Sequence, residues 1–366
     1  MKRIAHCIFS IVLFICCTPN HYKIEGITVN QDLNGQTVFI KERINRVWNS
    51  IDSVNIEHGK FSFQGTCDSS RVVYMFCTLP SGENIRKPFV LESGKISVKL
   101  DGKEFTFSGT KQNDLLQTYQ NGKNDFFKRV EANYFAIKDI TQTDEQKAAY
   151  DFKIQELNNE EVAYDLKYVQ ENVNTIVGTH IFVTTFYGMS IDQKDSIIVK
   201  MNDNTKKIAR IQEIINNIAI EKKTAKGSYF TDIKLPGLKG DSLSLSALIG
   251  KTDYVLIDFW ASWCGPCIQS LPELKKLYNS NKGKKLEILG VSLDNDGELW
   301  RTTVSKKELN WKHVSDLQGW KSSGAKLYAV SSIPATVLIN KDGIIEGRNL
   351  TINQIELIIY KSSEKK

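Results

Sequence analysis

Proline and cysteine are scarce, 7 residues each in a chain of 366, and histidine is scarcer still at 5. So little proline excludes a collagenous or proline-rich low-complexity chain. Seven cysteines are too few to staple a disulfide scaffold of this length. His180 and His313 are isolated and there is no second C-x-x-C, so no metal ligand set is expected. No apolar run reaches the roughly 20 residues that span a bilayer, which rules out a multi-pass membrane protein. Charge of one sign is also lacking: 48 basic residues stand against 42 acidic ones, net +6. The lysines are scattered rather than striped with aromatics, so nucleic acid is not an expected partner. With 41% hydrophobic and 25% charged residues, the chain has the composition of a folded protein of two or three domains.

The first segment is a leader. Lys2 and Arg3 precede an apolar stretch over residues 8–15, followed by Cys16-Cys17-Thr18-Pro19-Asn20. This pattern predicts a signal peptide over residues 1–17. A cysteine at its end resembles a bacterial lipoprotein signal, in which the thiol is acylated. Cys17, with the small Cys16 before it, is the expected lipidation site, or Cys16 if cleavage falls one residue earlier, where Leu13 stands three positions ahead. A plainly cleaved secretory peptide or an uncleaved anchor competes with that reading. Each places the remainder outside the cytoplasm. No acidic cluster follows Cys17, so a periplasmic, lipid-anchored protein is expected.

Residues 22–110 read as short alternating segments punctuated by Gly, Asn and Asp, among them Ile96-Ser97-Val98-Lys99-Leu100 and Phe105-Thr106-Phe107. Period-two alternation with frequent turns predicts a small antiparallel β domain with one buried face. Cys67 and Cys77, on or beside neighbouring strands, are equally consistent with a disulfide and with two buried thiols. Over residues 111–225 glycine and proline nearly vanish, and apolar residues recur at helical spacing, as in Ile208, Ile211, Ile215 and Ile218. This predicts an α-helical spacer whose Tyr and Phe residues serve packing. Pro236-Gly237 and Gly240-Asp241 mark a change of texture, and a last domain is expected over 226–362.

That domain carries the chemistry. The apolar run from Tyr254 to Trp260 has strand length. After it come Trp263-Cys264-Gly265-Pro266-Cys267 and a helical face of Ile268, Leu271, Leu274 and Leu277. Cys264 therefore sits at a helix N-terminus, where free N–H groups and the helix dipole favour a thiolate. It is the expected nucleophile. Cys267, one turn further on, is placed to attack a mixed disulfide on Cys264. Half a zinc site, a structural disulfide and a Cys-His hydrolase are the competing readings of a C-x-x-C.

This motif resembles the thioredoxin active site, and Phe259-Trp260-Ala261-Ser262 ahead of it strengthens the likeness. Ser331-Ser332-Ile333-Pro334-Ala335-Thr336 resembles the cis-proline segment of that fold. The resemblance implies that Pro334 abuts the thiols and that Ile333 pairs with a substrate backbone, with Trp263, Gly265 and Pro266 also meeting substrate. Gly290-Val291-Ser292-Leu293-Asp294, Trp300, Trp311-Lys312-His313-Val314-Ser315-Asp316, Gly319-Trp320 and Tyr328 are similar to TlpA-type periplasmic thioredoxin domains, particularly those of Bacteroidetes lipoproteins. In those proteins a lipoprotein signal, a β domain and a helical spacer precede the thioredoxin domain. Two departures stand out. Ser270 occupies the position of a glutamate found in cytochrome c maturation members, and Gly290 that of a lysine found in thioredoxin. Asp258 matches the buried aspartate of thioredoxin, where desolvation raises a carboxyl's pKa and suits it to accept the Cys267 proton.

The expected architecture is thus multidomain: antiparallel β domain, helical spacer and C-terminal α/β thioredoxin fold. The expected activity is reduction of disulfides in exported proteins by Cys264 and Cys267, without metal or organic cofactor, recharged by a membrane thiol electron carrier. Competing readings are a binding lipoprotein that uses the thioredoxin domain for docking, a disulfide oxidase or isomerase, and a peroxidase of the same fold.

Overall fold

The computed structural model describes residues 20–44, 47–138 and 143–363. The leader, with Cys16 and Cys17, lies outside the described residues. Two compact units divide the chain, Met1–Phe186 and Tyr187–Lys366, so the helical stretch of 111–225 is shared between them.

In the first unit eight strands run β1 (His21–Thr28), β2 (Thr37–Ile44), β3 (Val47–Asn55), β4 (Lys60–Thr66), β5 (Arg71–Thr78), β6 (Asn84–Leu91), β7 (Gly94–Asp101) and β8 (Glu104–Ser108). They form two four-stranded sheets, ordered β4-β1-β7-β8 and β3-β2-β5-β6. Alternation buries one face: in β7, Ile96, Val98 and Leu100 are buried while Lys95, Ser97 and Lys99 are exposed. One pairing departs from the expected antiparallel arrangement, since β1 and β7 run parallel. Five strands separate them in sequence, so no tight hairpin dictates their relative direction. Cys67 and Cys77 are buried free thiols, not a bridge.

Three helices complete this unit: α1 (Lys111–Lys138), α2 (Asp144–Asn172) and α3 (Ile176–Thr185). Tyr119 of α1 stacks on Tyr164 of α2 at 5.7 Å, and its hydroxyl donates to Asp165 at 2.7 Å. Not all the aromatics pack, however. Phe127, Phe135 and Phe152 are 61%, 63% and 68% exposed, because paired long helices bury only their facing stripes.

The second unit begins with α4 (Ile191–Lys200), α5 (Asp203–Lys206) and α6 (Ala209–Lys223). The buried stripe of α6 is Ile211, Ile214 and Ile218, whereas Ile208 sits at the N-cap, 43% exposed. A hairpin of β9 (Lys234–Pro236) and β10 (Ser242–Ser244) follows. Next come β11 (Tyr254–Trp260), α7 (Gly265–Asn281), β12 (Leu286–Ser292), α8 (Gly297–Lys306), β13 (Lys312–Val314), α9 (Ser323–Leu327), β14 (Ala335–Asn340), β15 (Ile345–Arg348) and α10 (Ile352–Ser363). The five-stranded sheet is ordered β13-β12-β11-β14-β15. Strands β11, β12 and β13 are parallel, while β14 runs antiparallel to β11 and to β15. All seven residues of the central strand β11 are buried, which explains its unbroken apolar run. This is the expected thioredoxin-type α/β arrangement.

Tyr328, fully buried, ties the entry of this domain to its core. Its hydroxyl donates to the Thr231 carbonyl at 2.6 Å and accepts from the Thr231 amide at 3.1 Å. Tyr328→Phe strands both backbone groups and is expected to destabilise the thioredoxin domain by about 1–3 kcal/mol in chemical denaturation, with the cysteine pair still formed.

Candidate active site

Cys264 is the N-cap of α7, its backbone extended (φ −84°, ψ 99°), and a proline lies in the first helical turn. Pro266 suits that position because its ring presets the helical φ and its missing N–H would have been unpaired there. The amide of Cys267 points back at the Cys264 sulfur at 3.2 Å. The two cysteines are joined in a disulfide, and both are enclosed, Cys264 5% and Cys267 1% exposed. Around them Gly265 and Pro266 are exposed, and Trp263 is half exposed.

Opposite the disulfide, the Ile333-Pro334 peptide bond is cis. The Ile333 carbonyl oxygen lies 3.8 Å from the Cys264 sulfur. Ser331, Ser332 and Pro334 are exposed and Ile333 is half-buried. Trp263 and Trp320, 6.1 Å apart, form an aromatic rim beside Cys264. The structure thus brings Trp263, Cys264 and Ile333 together, with Gly265, Pro266 and Cys267 on the same helical turn.

Asp258 lies in β11, the strand that leads to this turn, paired with Gly290 on one side and Thr336 on the other. Burial alone pushes its carboxyl up to about 7. Gly290, which pairs with Asp258, offers it no side-chain partner.

Asp294 carries no assigned role in the sequence pattern. It is fully buried and accepts from the Ser262 amide at 3.1 Å, the Ser262 hydroxyl at 2.5 Å and the Ser292 hydroxyl at 2.7 Å. It clamps the turn between β11 and Cys264. Its signal was the pair of serines, each short, polar and next to a buried strand end. Ser270, the other departure from the family pattern, donates to the Cys267 carbonyl at 2.9 Å. Among the described residues no group of His, Cys, Asp or Glu could hold a metal ion.

Residues 227–348 match the AhpC/TSA family, and residues 22–116 match a domain family of unknown function, DUF4369. A thiol-disulfide oxidoreductase ResA of Bacillus cereus is 30% identical over 125 residues, 34% of this chain and 69% of that protein. The ResA of Geobacillus kaustophilus is 32% identical over 134 residues, 36% of this chain and 74% of its own. Among solved structures, a thiol-disulfide oxidoreductase from Bacteroides fragilis is 36% identical, covering 37% of this chain and 98% of that one, with a TM-score of 0.34. A thiol:disulfide interchange protein from Bacteroides sp. is 31% identical, covering 38% and 90%, with a TM-score of 0.35. The chain belongs to the thiol-disulfide oxidoreductases, with a thioredoxin-fold domain of the AhpC/TSA family.

The buried carboxyl has a consequence for stability. A folded-state pKa near 7, above the 3.8 of a free aspartate, means that the folded protein holds this proton more tightly than the unfolded chain. Stability is therefore greatest when both states are protonated and falls as the pH rises from about 4 to about 7, by roughly 2–4 kcal/mol. Asp258→Asn is expected to remove that slope in urea denaturation of the oxidised protein at a series of pH values.

Proposed function

We propose that the protein is a membrane-tethered periplasmic reductase of protein disulfides, and the observation that carries this reading is the Cys264 sulfur capping α7 with the Cys267 amide pointed at it. In the dithiol form that amide and the helix terminus stabilise a Cys264 thiolate. The thiolate attacks one sulfur of a substrate disulfide. The substrate S–S bond breaks, its other sulfur leaves as a thiolate and takes up a proton, and a mixed disulfide joins Cys264 to the substrate. Cys267 then gives its thiol proton to the Asp258 carboxylate and attacks the Cys264 sulfur. The second substrate sulfur departs, and the protein is left with the Cys264–Cys267 disulfide. Two electrons have passed to the substrate.

The substrate is an exported protein with an accessible disulfide. Its backbone lies along Ile333 next to cis-Pro334, against the surface made by Trp263, Gly265 and Pro266. The exposed Gly265-Pro266 pair places no histidine between the cysteines, which favours donation of electrons over oxidation. Re-reduction is assigned to a membrane thiol electron carrier, and the tether to Cys17, or to Cys16. No helix among the described residues is long and apolar enough to cross a membrane. The reaction as written needs neither metal nor organic cofactor.

Insulin reduction by full-length protein in dithiothreitol tests the reading. Cys264→Ser is expected to lower the rate by more than about 100-fold, because the nucleophile is gone. Cys267→Ser is expected to keep the first attack and accumulate mixed disulfides visible on a non-reducing gel. Asp258→Asn should slow resolution of that mixed disulfide about 100-fold at neutral pH while sparing the first attack. Retention of most activity by Cys264→Ser would refute the mechanism.

A further inference from the structure

Beside the cis-proline segment lies a cavity of about 280 Å³ whose walls all belong to the second unit. It is lined by Ser190 and Lys194 at the start of α4, Glu221 of α6, Ser331 and Ser332 ahead of β14, and Arg348 at the end of β15. No step of the reaction above uses it. Ser331 and Ser332 are exposed, and the next residue, Ile333, is the one whose carbonyl faces the Cys264 sulfur at 3.8 Å. The cavity thus opens on the chain that leads into the redox site. Its volume falls short of the roughly 300 Å³ at which small-molecule sites begin, and it suits one polar side chain better than a cofactor.

The charges around the cavity do not balance. Lys194, its side chain 7% exposed, pairs with Glu221 at 3.0 Å. Arg348 has no carboxylate of its own among the described residues: it donates to the Thr224 hydroxyl, to the Thr224 carbonyl at 3.4 Å and to the Tyr328 carbonyl at 2.5 Å. Burial pulls its pKa below the ordinary guanidinium value, and the Glu221 charge opposes that only in part. Two cations therefore share one carboxylate in a poorly hydrated place, where a charge short of a counter-ion is costly. Of the five guanidinium donors three are used and two remain, on Nε and Nη2, and a carboxylate takes guanidinium donors in pairs. The wall also has an uncommon backbone shape. Ala329 (φ 49°) and Asn349 (φ 52°) both line the cavity in the left-handed region, which alanine rarely enters. Strain of this sort collects where a segment is held in shape for a ligand.

We propose that this cavity is a substrate subsite: it takes the side-chain carboxylate of an aspartate or glutamate close in sequence to the substrate's reacting cysteine, and Arg348 is the residue that selects it. A substrate backbone laid along Ile333 advances about 3.3 Å per residue and sets every second side chain on the same face. Ser331 stands two residues before Ile333, so the substrate side chain two positions beyond the one opposite Ile333 lies over the serines at the cavity mouth. A carboxylate there gives Arg348 its counter-ion, and the serine hydroxyls are further donors beside it. A lysine or arginine at the same position meets an excess of positive charge instead. The cavity thereby sets which disulfide is reduced and leaves the sulfur chemistry to the two cysteines. The proposal rests on the reading of Ile333 as the segment that carries the substrate backbone.

The test uses full-length, reduced protein and short peptides whose single cysteine is held as a mixed disulfide with thionitrobenzoate. Attack by Cys264 on the peptide sulfur expels the coloured thionitrobenzoate, and its second-order rate of release is read. The peptides carry glutamate, alanine or lysine at each position within a few residues of the cysteine, on either side. Glutamate at one position is expected to react about 10-fold faster than alanine there, and lysine more slowly than alanine. Asn349→Asp tolerates left-handed backbone and keeps the acceptor for the Thr336 amide at 3.3 Å, while it adds a negative charge to the wall. It should bring the glutamate-to-alanine ratio to about one, as should Arg348→Gln. Glu221→Gln, which removes the shared carboxylate, should raise the ratio about 3-fold. Equal rates for glutamate and alanine at every position, a preference spread evenly over all positions, or one that survives in folded Asn349→Asp and Arg348→Gln proteins overturns the subsite and leaves the reductase reading standing. Failure of the reduced protein to release thionitrobenzoate from any peptide, the alanine ones included, overturns instead the role of Cys264.

Discussion

A reacting sulfur must be held still without being smothered, and here one junction does that: β11 is buried along its whole length and ends four residues before the cysteine that caps α7. A strand packed on both faces cannot shift without opening the core, so it acts as a fixed mount for the turn that follows. The turn is then clamped by Asp294 through the backbone and hydroxyl of Ser262. The helix begins at Cys264 because Gly265 and Pro266 suit a first turn, and the Cys267 amide faces the sulfur. From this junction follow the placement of Cys264 at the helix terminus, the enclosure of Cys267 and the position of the cis-proline loop at 3.8 Å.

The same core carries a cost. Asp258 is a carboxyl in a strand of otherwise apolar and aromatic residues, and His313 is an imidazole between two indoles. Burial shifts both groups, the Asp258 carboxyl up to about 7 and the His313 imidazole down to about 4. In this protein the two residues occupy one row of the sheet with a glycine between them, an arrangement that a search along the chain alone does not reveal.

What was legible in the sequence follows from this physics. The C-x-x-C after a strand-length apolar run located the cysteine pair, because a strand buried on both faces has to be uniformly apolar. Ile333-Pro334 was legible as the opposing loop only through family resemblance, since no local rule makes a proline cis. In the first unit the strands least legible in the sequence are β3 and β6, and both are sheet edges. Edge strands such as Val47–Asn55 bury little and alternate weakly, and β6 carries Pro88, which edges tolerate. The parallel pairing of β1 with β7 depends on contacts far apart in sequence. So does the pairing of Gly290 with His313, whereas the pairing of Gly290 with Asp258 was legible through family resemblance.

Direction of electron flow is the central claim, since the fold serves donors and acceptors alike. With glycine and proline between the cysteines, the thiolate receives help from the helix terminus and the Cys267 amide but not from a histidine in the motif. A less stabilised thiolate leaves the disulfide comparatively favoured and makes the dithiol a donor. Equilibration of the full-length protein with glutathione redox buffers, followed by the fluorescence of Trp263 beside the disulfide, reads this balance directly. The account predicts a potential nearer the thioredoxin value of about −270 mV, whereas one near the about −120 mV of DsbA would contradict it and make the protein an oxidant.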